Sequence, residues 1–147
     1  MSSSQLPVSG AGTGATAARA IVAGHGDFAA GLVSAVDVIT GRGALLIPIA
    51  VPGLCAEDIE QLLRQRMRES GVKVIFTDLQ AGSCTMAARR ILRGLDDTVL
   101  VAGANLPTLL DFVFAEDMPP VDAARHSAER GRASITVVGA AGGVKQA

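Results

Sequence analysis

The strongest constraint on the fold is an alternation that repeats four times along the chain. A short apolar run ends in a turn, and a stretch whose apolar residues have helical spacing follows. The runs lie at residues 20–24, 44–50, 72–77 and 98–102, each too short for a helix and rich in Val, Ile, Leu and Ala. Runs of that length between turn signals read as strands buried on both faces. The intervening stretches, 28–40, 56–70, the one after Ser83 and the one after Asn105, read as helices. Repeats of this kind predict an α/β fold: a doubly wound, mostly parallel four-stranded sheet with helices on both faces, joined by right-handed crossovers.

Local signals sharpen the pattern. Phe28, Leu32, Val36 and Ile39 share one face of the first helix, and Ile59, Leu62, Leu63 and Met67 one face of the second. Ala87, Ala88, Ile91, Leu92 and Leu95 point inward from the third, as do Leu106, Leu109, Leu110, Val113 and Phe114 from the fourth. The second helix begins acidic (Glu57, Asp58, Glu60) and turns basic (Arg64, Arg66, Arg68), the order that complements the helix dipole. Gly71 is placed as its stop. Asn105 suits an N-cap, with Pro107 tolerated in the first turn. Pro48 cannot donate to a ladder, so its strand belongs at a sheet edge. Pro119 and Pro120 break the chain before a fifth helix at 120–131, and residues 134–138 are β-branched enough for a last strand. Residues 1–18, small, polar and glycine-rich, read as a flexible leader, 19–138 as one domain and 139–147 as a frayed tail. Gly10, Gly12 and Gly14 give no dinucleotide fingerprint, since no strand precedes them and the third glycine is misplaced.

Composition removes several functions. Thirteen basic residues balance fourteen acidic ones, which gives no electrostatic footprint for nucleic acid or an anionic membrane. With four Phe and neither Trp nor Tyr, the chain lacks aromatic platforms for stacking bases. No apolar run approaches the length of a spanning helix, and no signal peptide opens the chain. Cys55 and Cys84 have no metal-type spacing and fit reduced thiols in a cytoplasmic protein.

The chemistry collects at strand ends. Gly24, His25 and Gly26 follow the first strand, and Asp78 ends the third. With the strand order 2-1-3-4, the switch point of the sheet falls between those two strands and brings His25 and Asp78 together. Standing alone, His25 could equally be a solvent-facing loop residue. A histidine with a carboxylate serves as general base, metal ligand or phosphoryl acceptor. Metal binding lacks ligands, because the only other histidine, His126, falls on the fifth helix. A serine nucleophile lacks its elbow, since no G-x-S-x-G occurs. Phosphoryl acceptance fits the residues better: a neutral ring nitrogen attacks while the carboxylate holds the other N–H. Ala81, Gly82 and Ser83 lie where the third helix begins, so its free N–H groups and the Ser83 hydroxyl could receive the phosphoryl oxygens.

Three segments then carry a resemblance. Gly24-His25-Gly26 with Phe28, Thr77-Asp78 through Gly82-Ser83, and Gly103 through Asn105-Leu106-Pro107 are similar to the three signatures of mannose-family IIA proteins of the bacterial phosphotransferase system. They occur in the right order with similar separations over about residues 20–115, and more loosely to 138. The resemblance implies that His25 takes a phosphoryl group from phospho-HPr and passes it to a IIB protein for sugar uptake. It implies that Asp78 orients His25, that Ala81, Gly82 and Ser83 face the phosphate, and that no metal or cofactor takes part. It further implies a cytoplasmic homodimer in which residues 134–138 add antiparallel to the partner's sheet, with the membrane reached only through the sugar carrier. Phe28, Leu79 and Gln80 are candidates for the rim on which both partner proteins dock.

Two departures from the family stand out. Where it usually has Gly-Gly-Ser/Thr-Pro, this chain has Ala81, Gly82, Ser83 and Cys84. If position 81 requires a left-handed backbone, alanine costs ~1 kcal/mol or somewhat more there. Cys84 replaces a proline that would pre-set the first helical turn; it reads first as a small buried or half-buried residue, with a thiol of lowered pKa at the helix N-terminus as the alternative. Rival readings are a regulatory IIA whose His25 phosphorylation controls a protein partner, a thiol or hydrolytic enzyme using Cys84, and an interaction module with an idle His25.

Overall fold

The computed structural model describes residues 17–141. Four strands, β1 (Ala20–Ala23), β2 (Leu46–Ile49), β3 (Val74–Thr77) and β4 (Val99–Ala102), form one sheet in the order β2-β1-β3-β4. Every pairing is parallel, with Ala20 opposite Leu46, Ile21 opposite both Ile47 and Ile75, and Val74 opposite Val99. The helices are α1 (Phe28–Thr40), α2 (Ala56–Ser70), α3 (Ser83–Leu92), α4 (Leu106–Phe114) and α5 (Pro120–Ala133), with a short 3-10 turn, Gly43–Leu45, leading into β2. The expected order and class are thus observed. Pro48 lies on the edge strand β2, where the lost donor is tolerated.

Alternation along the strands divides the core in two. Ala20 and Val22 of β1, with Val74 and Phe76 of β3, face α1, α4 and α5, where Val36, Leu109, Phe112 and Ala124 pack. Ile21, Ala23 and Ile75 face α2 and α3, where Ile59, Leu63, Ala88 and Ile91 pack. Phe76 and Phe112 meet edge to face, ring centroids 5.1 Å apart, a contact worth about 1 kcal/mol beyond the area it buries. Gly71 ends α2 in the left-handed conformation. The Asn105 side chain accepts the Thr108 N–H, capping α4.

Some expectations need correction. Ile39 and Phe114 are exposed, and Phe112 takes the inward place expected of Phe114. Helical spacing selects a face, and the last turn of a helix can outrun the sheet that would cover it. Arg42 instead lies over the Phe114 ring, 5.3 Å from its centroid, and pairs with Glu116. Residues 134–138 form no strand within the chain, and Ile135, Val137 and Val138 are exposed. Of the expected leader, Ala18 packs on the core beneath α2 and α3. Residues 1–16 of the leader and 142–147 of the tail lie outside the described residues.

Candidate functional site

The chain leaves β1 through α1 to one side of the sheet and leaves β2 through α2 to the other, so the switch point lies between β1 and β3. His25 follows β1 and Asp78 follows β3. Gly24 makes their approach feasible: a Cβ there would lie 2.6 Å from Phe28 Cδ2 and 2.8 Å from Asp78 Cγ. With that space open, Asp78 Oδ2 accepts the His25 backbone N–H at 2.8 Å and lies 2.8 Å from His25 Nδ1. A carboxylate oxygen only accepts, so Nδ1 carries the hydrogen, and in the neutral ring Nε2 keeps its lone pair. The His25 side chain is 59 % exposed against 13 % for Asp78. The imidazole faces solvent while its carboxylate is largely covered.

Burial pushes the Asp78 carboxyl up, but the hydrogen bonds from the His25 backbone and ring, together with the charge the ring can carry, outweigh it. Asp78 therefore sits below its ordinary value. It remains ionised and ready to balance positive charge on the imidazole.

The N-terminus of α3 comes up beside the ring. Gly82 is its N-cap, with φ near +125°, and a Cβ there would sit 3.2 Å from His25 Cε1 and 3.9 Å from Nε2. Glycine is required here for its backbone and for the space. Ala81 lies outside the positive-φ region, since Ala140 is the only described non-glycine residue there, so the feared strain at position 81 is absent. Ser83 opens α3, whose first-turn N–H groups have no partner inside the helix, and its N-cap Gly82 lies beside the His25 ring. Cys84 is 1 % exposed, and burial, followed by the nearby Asp78 charge, pushes its thiol up to about 11. This is the small buried residue expected at position 84, and the alternative of a lowered pKa is not met: a buried thiol beside a carboxylate presents little thiolate at neutral pH.

Leu79 and Gln80 are exposed next to Asp78, whereas Phe28 is partly buried and packs against the core under α1. The third signature lies behind this site. Asn105 caps α4 and also donates to Gly131 O at 3.1 Å, and a Cβ on Gly131 would collide with Thr108 Oγ1. It therefore locks α4 to α5. A glycine inside a helical stretch was the sequence signal for that close approach. His126, placed on the fifth helix as expected, is exposed and paired: its Nδ1 lies 2.8 Å from Asp111 Oδ2. Among the described residues no group of three or more His, Cys, Asp or Glu side chains is arranged to hold a metal ion. No helix among them is long and apolar enough to cross a membrane.

The fold is an open parallel α/β domain, and an exposed, carboxylate-held histidine stands at its switch point beside a helix N-terminus. The comparisons make the family specific. Residues 19–129 match the EIIA-man family, described as the PTS system fructose IIA component, and the chain belongs to this family. Solved structures share the fold. The mannose/sorbose-specific IIA subunit from Enterococcus faecalis has a TM-score of 0.71 at 19% identity, covering 83% of this chain and 95% of its own. The IIA protein associated with the fucose utilization operon of Streptococcus pneumoniae gives 0.67 at 21%, covering 81% and 91%. EIIA from Streptococcus agalactiae gives 0.62 at 23%, covering 77% and 93%. No curated protein matches in sequence. Family membership makes the chain a phosphotransferase-system component with a phosphoryl-carrier role in sugar uptake, and it implies interaction with HPr and IIB proteins.

Proposed function

We propose that His25 Nε2 accepts a phosphoryl group from phospho-HPr and passes it to a IIB protein, with no metal or nucleotide. The observation that carries this reading is the single Asp78 oxygen held by both the backbone N–H and Nδ1 of His25, which leaves Nε2 free and exposed. A bond forms from Nε2 to phosphorus as the bond from phosphorus to the donor's imidazole nitrogen breaks, in line. The His25 ring keeps its Nδ1 hydrogen and gains positive charge, which Asp78 balances. The phosphoryl oxygens meet the N-terminus of α3 at Ala81, Gly82 and Ser83. Positioning and charge stabilisation supply the catalysis. An exposed nucleophile suits a donor and an acceptor that are themselves proteins, with Leu79 and Gln80, and the edge of Phe28, on the docking rim.

The assembly extends this reading. As the outermost strand, β4 has one side free of ladder partners, and the β-branched segment 134–138 is exposed on the same chain. Exchange of that segment, antiparallel onto β4 of a second copy, gives a homodimer. Truncation after Ala133 then yields a monomer in sedimentation, and an unchanged dimer overturns the exchange. The protein works in the cytoplasm, reaching the membrane only through the sugar carrier.

Incubation with phosphoenolpyruvate, enzyme I and HPr tests the carrier role. The expected result is a gain of one acid-labile phosphoryl group, mapped to His25 and absent from His25→Ala. Labelling of the His25→Ala protein overturns the assignment.

A further inference from the structure

Two fully buried hydroxyls lie beneath the loop that carries Asp78. Thr77 is the last residue of β3 and Thr85 sits in the first turn of α3. Thr85 Oγ1 donates to the Leu79 carbonyl, which can only accept. With its one hydrogen used there, Thr85 Oγ1 must accept from Thr77 Oγ1, 2.6 Å away. The chain of donation therefore runs from Thr77 through Thr85 to Leu79, the two outer members flanking Asp78 in sequence. From the other side, the Thr77 carbonyl accepts the N–H groups of Gly103 and Ala104 at 3.0 and 2.9 Å. Both backbone neighbours of Asp78 are pinned. The Thr85 end of the chain belongs to the helix whose N-cap, Gly82, faces His25.

A valine fills the same volume as threonine without a hydroxyl to satisfy, so burial alone does not call for threonine at position 85. The hydroxyl ties the Asp78 loop to α3 at the point where the carboxylate and the helix N-terminus must keep register across the His25 ring. We infer that Thr85 is a positioning residue for His25, acting through the Leu79 carbonyl to hold Asp78 on Nδ1 and so keep the lone pair on Nε2. This rests on the carrier reading for its consequence in transfer, but not for its consequence in the ring.

The test uses the full chain with Thr85→Val, Thr85→Ala and Thr85→Ser. Ring-nitrogen NMR reads the His25 tautomer and its pH titration with no donor protein present, and a phospho-HPr assay reads the transfer rate. In Thr85→Val and Thr85→Ala, the preference for hydrogen on Nδ1 weakens and transfer slows about tenfold. Thr85→Ser, which keeps the hydroxyl, restores both. His126 serves as the reference in the same spectra and does not move. If either folded variant lacking the hydroxyl keeps the wild-type His25 tautomer, titration and rate, or if Thr85→Ser is as impaired as Thr85→Val, the inference is overturned. If the wild type accepts no phosphoryl group while the ring signals shift as expected, the carrier reading fails and the positioning role stands.

Discussion

Two histidines in this protein each hold an aspartate through Nδ1, yet their surroundings differ. His25 with Asp78, and His126 with Asp111, each place Nδ1 2.8 Å from a carboxylate oxygen. The imidazoles are similarly exposed, 59 % and 49 %. Their surroundings separate them. Asp78 lies at a strand end, takes the His25 backbone N–H as well, and is 13 % exposed. Asp111 lies within α4, is 23 % exposed, and has Arg130 Nε 3.8 Å from its other oxygen. Beside His25 stands a helix N-terminus with unpaired donors. His126 is inside α5, where backbone N–H groups are used by the helix itself. A carboxylate fixes a tautomer in both places, but only the first stands beside a helix N-terminus, the feature on which the proposed phosphoryl site rests. The pair of side chains is common chemistry, and the site comes from the strand end and the helix start.

The widest separation between the two pairs comes from deleting each imidazole. His25→Ala should abolish phosphoryl uptake measured by intact mass, and His126→Ala should leave it at the wild-type level. Uptake that survives in His25→Ala and disappears in His126→Ala would invert the comparison. Next in size are the carboxylates. Asp78→Asn keeps the shape but removes the charge that balances the ring, and transfer falls about 100-fold. Asp111→Asn leaves the rate unchanged. The Asp78 effect also has a pH signature. Its folded pKa lies below the unfolded value of about 3.9, so its contribution to stability is fully present above that pH and disappears as pH falls through the folded pKa. The stability difference between wild type and Asp78→Asn should therefore begin to close as pH falls below about 4 and vanish once pH is below the folded pKa of Asp78. A difference that does not shrink at all as pH falls below about 4 would place the effect elsewhere.

Much of this contrast could be read before any coordinates. The four repeats define the sheet, and its order brings His25 and Asp78 together because they follow the strands on either side of the switch point. Pro48 marked an edge strand, and Asn105 a cap, through backbone chemistry that is local. What escaped was non-local. Asp111 and His126 belong to different helices, and nothing in either stretch signals the other. Thr77 and Thr85 are ordinary residues in sequence, and only the burial of both hydroxyls gives them meaning. The exposure of Ile39 and Phe114 reflects where α1 and α4 outrun their neighbours, which periodicity does not encode. The worry over Ala81 came from assigning the glycine-only conformation one residue early, since Gly82 carries it.

That correction gives a smaller test on the same loop. Gly82→Ala puts a Cβ 3.2 Å from His25 Cε1 at a backbone φ that disfavours any side chain. The strain costs about 1–3 kcal/mol if the loop holds its shape. Either the loop relaxes away from Nε2 or the ring turns, and transfer slows about tenfold in both cases. Ala81→Gly should leave the rate unchanged, because no strain is there to relieve. A faster Ala81→Gly protein would show that the family's first glycine was needed at this position after all.

The smallest effect belongs to the thiols, and it separates the carrier from an enzyme built on Cys84. With its thiol pushed up to about 11 and the side chain buried, Cys84 presents almost no thiolate at neutral pH. Cys55 is exposed at the start of α2 and is the one expected to react first with iodoacetamide. Peptide mapping after brief alkylation should find the label on Cys55, with phosphoryl uptake intact. A Cys84→Ser protein, which keeps a small side chain at the same place, should likewise retain transfer within about twofold, since neither the Asp78 hydrogen bonds nor the free N–H groups of α3 depend on sulfur. Loss of uptake in Cys84→Ser, with a wild-type His25 spectrum, would mean that the sulfur itself takes part. The comparison of the two histidine pairs would then be missing a member, because the working site would contain a group that neither carboxylate controls.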